Sequence, residues 1–520
     1  MQLPLPERSV ADTGSFPVAP DGVADWLATL DPLASEADAR EVLRGLTHSN
    51  RLHNDVDRRR AVIACFVPVL RALHERLSDT ARAQPLPLTE EFARAADLAL
   101  GLLREEAMAF RLLLADSETP VADDARRAML ALTRRADLLL SGYRQLPDSL
   151  LREAHALYGF SREHAIHQQR ADSSEPGAPS MPSLASLDEL YRYLLVLSVV
   201  DTPRHRARQL PLLLDWLREH TSLCTLAADP ARSRRRAATR YAIDLVRGAC
   251  PTPAGSLLGD DDATLQLLDT APLCQHLERQ LGTMRQTNAS QLGADTLERQ
   301  TLARLEVTLE GRRQRRHGRR REDRPVGLTF GHKDICARLR YALGEDETLT
   351  ENGWRAVDAS PAGLQATHAD AAPGSVQVGE LVAIPRATDA LPLDVRAGNP
   401  SETPPASATR RDVSLAVVRR IRSRDSRSVS IGLEFLAHAV MSVTLRREDD
   451  PDSAPEEALI IACRIGDRSV QSLLVPPFLY RSGDRLSIGQ GMRSRRVELT
   501  RCLQLNGLFG HYELGSGATA

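Results

Sequence analysis

Residues 312–324, RRQRRHGRRREDR, set eight arginines against two acids, a local charge of 8 - 2 = +6, and residues 354–366, WRAVDASPAGLQA, read as a strand, a turn and a strand. These stretches open a change of pattern. Beyond Gly311 the chain turns to short runs of alternating or β-branched residues broken by Gly, Pro and Asp, among them PVGLTF, GELVAIP, DVSLAVVRRI, SVSIGLEFL and VMSVTLRR. That is the signature of a small all-β barrel or sandwich. After the acidic spacer REDDPDSAPEE a second strand-rich piece follows, with ALIIACRI, SVQSLLVPP, DRLSIG, RRVELTRCL and GHYELG. A further small β unit is expected there.

Upstream the period is helical. Thr89 is a candidate N-cap before Glu90 and Glu91, and Phe92, Ala96, Ala99, Leu103, Ala107, Phe110 and Leu114 form one face. Ser186 and Glu189 have the spacing of a capping box, leading into a helix that stops at Thr202-Pro203. A last helix over Thr296 to Glu310 puts Leu302, Leu305 and Leu309 on one side and ends at Gly311. Short breaks between helices favour antiparallel pairs packed side by side. Residues 171–185, ADSSEPGAPSMPSLA, read as a flexible linker, and the Pro-rich stretch near 387–408 as an excursion between strands.

At 520 residues, 42% apolar and 26% charged, the chain has the composition of a multidomain globular protein. Its apolar runs are far shorter than the roughly 20 residues of a membrane span. The N-terminus lacks a basic segment followed by an apolar one, so a cytoplasmic location is expected. Seven scattered cysteines, none in a CxxC, suit thiols in a reducing compartment. A formal net charge of -2 leaves anion binding to a local cluster.

The arginine run is that cluster. The planar fork of arginine matches a phosphate and the O6/N7 edge of guanine, and it also stacks on a base. Arg315-Arg316-His317-Gly318-Arg319 fits an RxxxR pattern, and Asp358-Ala359-Ser360-Pro361-Ala362-Gly363 fits DxSxxG. In this order, and followed by GELVAIP, Ala416 to Arg419 and Ile431 to Phe435, the two motifs make residues 312–445 resemble the PilZ domain family. The resemblance implies an α+β multidomain protein: a helical N-terminal region, then a PilZ-like six-stranded antiparallel β-barrel, then a second small β unit. It divides the chain into a flexible N-terminus (1–20), a helical domain (21–170), the linker (171–185), a second mainly helical region (186–311), the barrel (312–448) and the C-terminal β unit (456–518).

The same resemblance implies a non-catalytic bacterial receptor for cyclic di-GMP, with no further cofactor and no metal. Carried over, Arg315 and Arg319 grip guanine edges and phosphates, with Arg316 and Arg320 in the overlapping registers Arg312/Arg316, Arg316/Arg320 and Arg320/Arg324. Asp358 accepts from a guanine N–H, Ser360 adds a hydrogen bond, and Gly363 allows close backbone approach. The signal passes to a protein partner, for which motility, adhesion or exopolysaccharide machinery is the family's usual setting. Two departures bear on ligand access: a long segment between Arg319 and Asp358, read as an elongated first hairpin, and the Pro-rich insertion.

Blander readings stand beside these. An arginine run is by itself a solvated linker or a nucleic-acid patch with steep salt dependence, and DxSxxG is by itself a common turn. A PilZ-like scaffold that has lost its nucleotide is a third reading. His164 and His167 lack further ligands at helical spacing and read as polar surface; Asp260 to Asp262 read as the acidic opening of a helix, and Tyr191 and Tyr193 as packing residues. No GxSxG, HExxH or phosphate-cradling glycine loop occurs, so nothing supports an enzyme.

Overall fold

The computed structural model describes residues 2–8, 16–82, 88–170, 184–227, 239–254, 265–288, 297–309, 318–341, 352–372, 374–385, 413–423, 428–450, 453–465, 468–490 and 493–515. The chain divides into two compact units, Met1–Gln314 and Arg315–Ala520.

The first unit is built on helices α1 (Pro20–Ala28), α2 (Glu36–Arg51), α3 (Val56–Arg82), α4 (Glu90–Asp116), α5 (Ala122–Ser141), α6 (Asp148–Glu163), α7 (Leu187–Val199), α8 (Leu210–His220), α9 (Ala271–Asn288) and α10 (Leu297–Leu309). Thr89 caps α4, its side chain accepting from Phe92 N, and of the expected face Ala96, Ala99, Leu103, Ala107, Phe110 and Leu114 are buried while Phe92 is half-buried. The capping box of α7 forms in both directions, Glu189 N donating to Ser186 Oγ at 3.2 Å and Ser186 N to Glu189 Oε2 at 3.0 Å. In α10, Leu302, Leu305 and Leu309 are buried together as the spacing predicts.

Three expectations about this unit change. The helical stretches before and after the linker are one body, because α7 packs on α5 and the buried Tyr193 hydroxyl donates to Asp137 Oδ1 at 2.6 Å. Linker residues 171–183 lie outside the described residues, but the chain on either side is joined by the bridge Arg170↔Ser186. Nor is the described N-terminus loose: Leu3 is buried, Arg8 pairs with Asp116 at 2.7 Å, and Arg111 Nη1 donates to Pro4 O at 3.2 Å. The region expected to be mainly helical also holds a four-stranded antiparallel sheet, β1 (Thr225–Ala227), β2 (Arg240–Asp244), β3 (Thr252–Pro253) and β4 (Leu265–Asp269), in the order β1-β4-β2-β3. Its strands are too short to carry a period of two that a sequence reading can detect.

The second unit starts with β5 (Arg320–Pro325), β6 (Thr329–Phe330), α11 (His332–Tyr341), β7 (Trp354–Ser360), β8 (Gly363–His368), β9 (Leu381–Pro385), β10 (Val413–Ser423) and β11 (Val429–Ala437). These strands form an antiparallel sheet in the order β5-β7-β8-β11-β10-β9-β6. Its two edge strands are one stretch of chain, separated only by residues 326–328, which span at most about 11 Å. Val326 N still donates to Trp354 O at 2.9 Å, while Gly331 N donates to Leu381 O at 3.0 Å, so the run bends from pairing with β7 to pairing with β9. The sheet therefore curls until its edges meet, and with β5 and β6 taken as one bent strand it has six strands.

Then come β12 (Val440–Arg447), β13 (Glu456–Ile465), β14 (Arg468–Val475), β15 (Arg485–Gln490), β16 (Arg493–Leu505) and β17 (Gly510–Gly515). They make a closed six-stranded antiparallel barrel in the order β12-β13-β14-β17-β16-β15, with β15 returning to β12 through Thr444↔Gly489 to Arg447↔Leu486. The α+β architecture of helices, then an antiparallel barrel and further sheet, is as expected. The boundary is not: Val440–Arg447, counted with the first barrel, is the opening strand of the second. Its inward residues Val443 and Leu445 pack with Ala458, Leu486 and Ile488, and that burial fixes its allegiance.

The two β domains share a core in which Ile335 and Cys336 of α11 meet Leu381, Leu415, Val440, Leu459 and Phe509. Asn506 Nδ2 reaches Gly379 O at 3.3 Å across the same junction. Helix α11 replaces part of the expected elongated hairpin; residues 342–351 of that segment, and 386–412 around the Pro-rich stretch, lie outside the described residues.

Candidate functional site

In β7 the residues Trp354, Ala356 and Ala359 face the interior, which leaves Asp358 and Ser360 on the outer side. The turn Pro361-Ala362 joins β7 to β8 with Ser360 opposite Gly363, so DxSxxG is a strand end, a two-residue turn and a strand start. A Cβ added to Gly363 would lie 2.1 Å from the carbonyl oxygen of Leu433 on β11. Glycine is needed here because strand β11 lies against it; the close backbone approach expected at this position is one between strands.

Strand β5 runs beside β7 with Arg321 opposite Asp358 and Arg320 opposite Ala359. Arg319, just before β5, donates from Nη1 to Asp358 Oδ1 at 2.6 Å and to Gln365 Oε1 at 3.2 Å. The first motif thus touches the second across 39 positions of sequence, at a half-buried pair on the barrel's outer face. Arg320 is exposed, 3.9 Å from Glu322, whose other oxygen accepts from Arg324 Nε at 2.8 Å. Arg315 and Arg316 lie outside the described residues. Of the candidate residues, Arg319, Asp358, Ser360 and Gly363 come together, and Arg320 flanks them.

Gln365 was not singled out by the sequence reading. It lies between the inward Leu364 and Ala366, so alternation alone puts it outside, two positions after Gly363. Its amide donates to Ser430 Oγ at 3.0 Å, and the register line Arg321, Asp358, Gln365, Gly432, Arg420 crosses five strands on the outer face. The row is polar, with arginines at both ends and a glycine that leaves Arg420 room. It can accept a ligand offering anionic oxygens and donor edges together.

Tyr191 and Tyr193 resolve as packing residues, and His164 is exposed as expected. Tyr191 is buried with its hydroxyl 2.7 Å from His155 Nδ1, and burial holds both the Tyr191 and Tyr193 hydroxyls well above their ordinary pKa. His164 Nδ1 lies 2.9 Å from Phe160 O, and His167 meets the Tyr158 ring edge-on. Asp260 to Asp262 lie outside the described residues. Among the described residues no three His, Cys, Asp or Glu side chains converge as metal ligands, and no helix is long and apolar enough to cross a membrane.

The chain thus combines a helical unit with a β unit in which Arg319 is clasped to a strand-turn-strand motif. Residues 21–231 match the family described as cyclic-di-GMP receptor FimW, N-terminal domain. The match lies within the helical unit. No curated protein and no solved structure matches the chain.

Proposed function

We propose that the chain is a non-catalytic cytoplasmic receptor that binds cyclic di-GMP on the outer face of the first β domain and passes the signal to a protein partner. The observation that carries this reading is the contact of Arg319 with Asp358 and Gln365, which joins the two motifs in one polar row. The match of residues 21–231 to a cyclic-di-GMP receptor domain supports the choice of ligand.

In this reading the ligand exchanges partners with the protein. Arg319 swings from the Asp358 carboxylate to a phosphate or to a guanine O6/N7 edge, for which its fork is shaped. Asp358, released, accepts from guanine N–H groups, and Ser360 adds a hydroxyl at the turn. Arg315, Arg316 and Arg320 supply further cations, and Gly363 keeps β8 tight against β11 so that the row keeps its spacing. The pair being broken is part-exposed and contributes only about 0–1 kcal/mol, so the exchange costs little. Signal transfer follows from fixing the arginine arm, a change of order.

Calorimetric titration of cyclic di-GMP into the full chain at physiological salt, with GTP as control, tests this. Saturable binding that Arg319→Ala and Ser360→Ala each weaken at least about tenfold, roughly 1.4 kcal/mol, is expected, with no heat from GTP. No heat from cyclic di-GMP overturns the proposal and leaves a nucleotide-free interaction scaffold. Binding of any duplex DNA with a steep loss on added salt would instead assign the arginine run to nucleic acid.

A further inference from the structure

Beside the junction of the two β domains lies a cleft of about 650 Å³, walled by the start of α11, by Glu380-Leu381, by Pro455 to Glu457, by Pro476-Pro477 and by Leu508. Its size is that of a ligand or peptide site, and domain junctions are where such sites concentrate. The walls are held from both sides. His332 has its ring 3.2 Å from Leu474 O, Arg340 pairs with Glu457 at 2.6 Å, and Ile335 and Cys336 are buried in the shared core. The cleft is therefore preformed, which lowers the ordering cost of binding.

Its chemistry is two-sided. Leucine and three prolines make a stiff apolar floor, while Asp334, Glu380, Glu456 and Glu457 stand against Lys333 alone. With Glu457 answered by Arg340, and Glu380 part-protonated near neutral pH because burial raises its pKa to about 7, Asp334 and Glu456 face one lysine. His332 adds no charge near neutral pH, because burial lowers its pKa. An anionic occupant, a nucleotide included, is repelled.

At the cleft's edge the chain does something costly. Directly after Pro476-Pro477, Phe478 sits at φ 65°, in the left-handed region, with 72% of its surface exposed, and Leu479 beside it is 48% exposed. A bulky residue in that conformation is strained and persists only where its surroundings impose it. Here the turn is pinned on its far side, Tyr512 Oη donating to Tyr480 O at 2.5 Å and Arg481 N to Asp484 Oδ2 at 3.0 Å. The result is an aromatic side chain held out to solvent beside a preformed groove. Aromatic anchors of this kind dominate protein interfaces.

We propose that this cleft is a docking site for a partner protein, and that it takes a segment carrying at least one lysine or arginine next to apolar side chains. The basic residue meets Asp334, Glu380 and Glu456, while the apolar ones cover the proline floor and pack on Phe478 and Leu479. The site does not depend on the messenger reading: its residues are separate from Arg319, Asp358 and Ser360.

The test is selection of phage-displayed random dodecapeptides on the full chain, followed by fluorescence polarisation of the winning synthetic peptides. Enriched peptides should carry Lys or Arg beside Leu, Phe, Ile or Pro. Their affinity should fall at least about tenfold in Glu456→Lys and in Phe478→Ser, and weaken as salt rises from about 0.05 M to about 0.5 M. Both substitutions are at exposed positions, and unchanged melting temperatures check that each variant is folded. No enrichment, winners without a basic residue, or winners indifferent to both variants would overturn the proposal. So would concentration-dependent self-association of the full chain that Phe478→Ser abolishes, because a second copy would then be the occupant.

Discussion

Gly363→Ala separates a structural glycine from a ligand-binding one. The new methyl carbon would sit 2.1 Å from Leu433 O and 3.2 Å from Leu433 C, where ordinary contact begins near 3.4 Å. Backbone on both sides has no rotamer to yield, so β8 and β11 must part by more than 1 Å at this point. Overpacking of this kind costs about 1–3 kcal/mol. Separating the strands also weakens the nearby bond from Phe435 N to Ala362 O, now 3.0 Å, worth about 1 kcal/mol. A total near 3 kcal/mol lowers the melting temperature of a unit this size by about 6–12 °C. Differential scanning calorimetry of the full chain reads that shift, and hydrogen exchange locates it to β8 and β11. Gly432→Ala is the control, since its methyl would meet only Arg420 Cβ at 3.3 Å and should cost under about 1 kcal/mol. If Gly363→Ala melts within about 2 °C of wild type, the strand-spacing argument is wrong.

Arg111 is fully buried, 3.1 Å from Glu153. Arg111→Ala should cost the helical unit about 3–5 kcal/mol in urea denaturation, and Arg111→Ala/Glu153→Ala should recover part of it, because a lone buried charge is worse than none. Glu380 has its pKa raised to about 7, first by burial and then by Asp334. A carboxyl whose folded pKa lies above its unfolded value loses stability as pH rises from about 4.5 through about 7, so Glu380→Gln should raise the melting temperature at pH 8 and leave it unchanged at pH 4. His511 runs the other way: burial, then Arg419, lowers its pKa to about 4, so its contribution is lost as pH falls from about 6.5 through about 4. His511→Gln should flatten the acid limb of the β unit's stability profile by about 1–3 kcal/mol.

Local chemistry was legible wherever one segment contains the whole argument. Ser186 and Glu189 announce a capping box because both partners lie within one turn, and Thr89 announces α4 for the same reason. Asp358 and Ser360 could be placed on a strand and Gly363 at a turn from alternation and turn chemistry alone. What the sequence could not show is which strand meets which. Val440–Arg447 has the same alternation whichever barrel it joins, and only the pairing with β13 and β15 decides. Helix α11 was missed because HKDICARLRY is ten residues of charge and short apolar spacing, and its stability comes from burying Ile335 and Cys336 in a core drawn from both β domains. Likewise Leu3 is unremarkable in sequence, and its burial is a tertiary fact.

Strand pairing also determines what a change at the arginine row can reach. Arg319 stands at the head of a continuous run, β5, the bend at 326–328, β6 and the first turn of α11, that leads to Asp334 on the wall of the cleft. At its head the run is paired with β7, beside Asp358; at its foot it is paired with β9, beside Leu381. A ligand that re-ties Arg319 acts on the edge that closes the first sheet. The buried positions of that run, Val326 and Leu328, have no room to absorb a displacement locally. Any shift must therefore be taken up either by the exposed arm before Arg320 or by rotation of the run as a body toward Gly331, whose φ of 84° makes it the one glycine there already in the left-handed region. The first outcome leaves the cleft unchanged and makes the two sites independent. The second changes the cleft's acidic wall, and then cyclic di-GMP and a basic peptide must alter each other's affinity by the same factor.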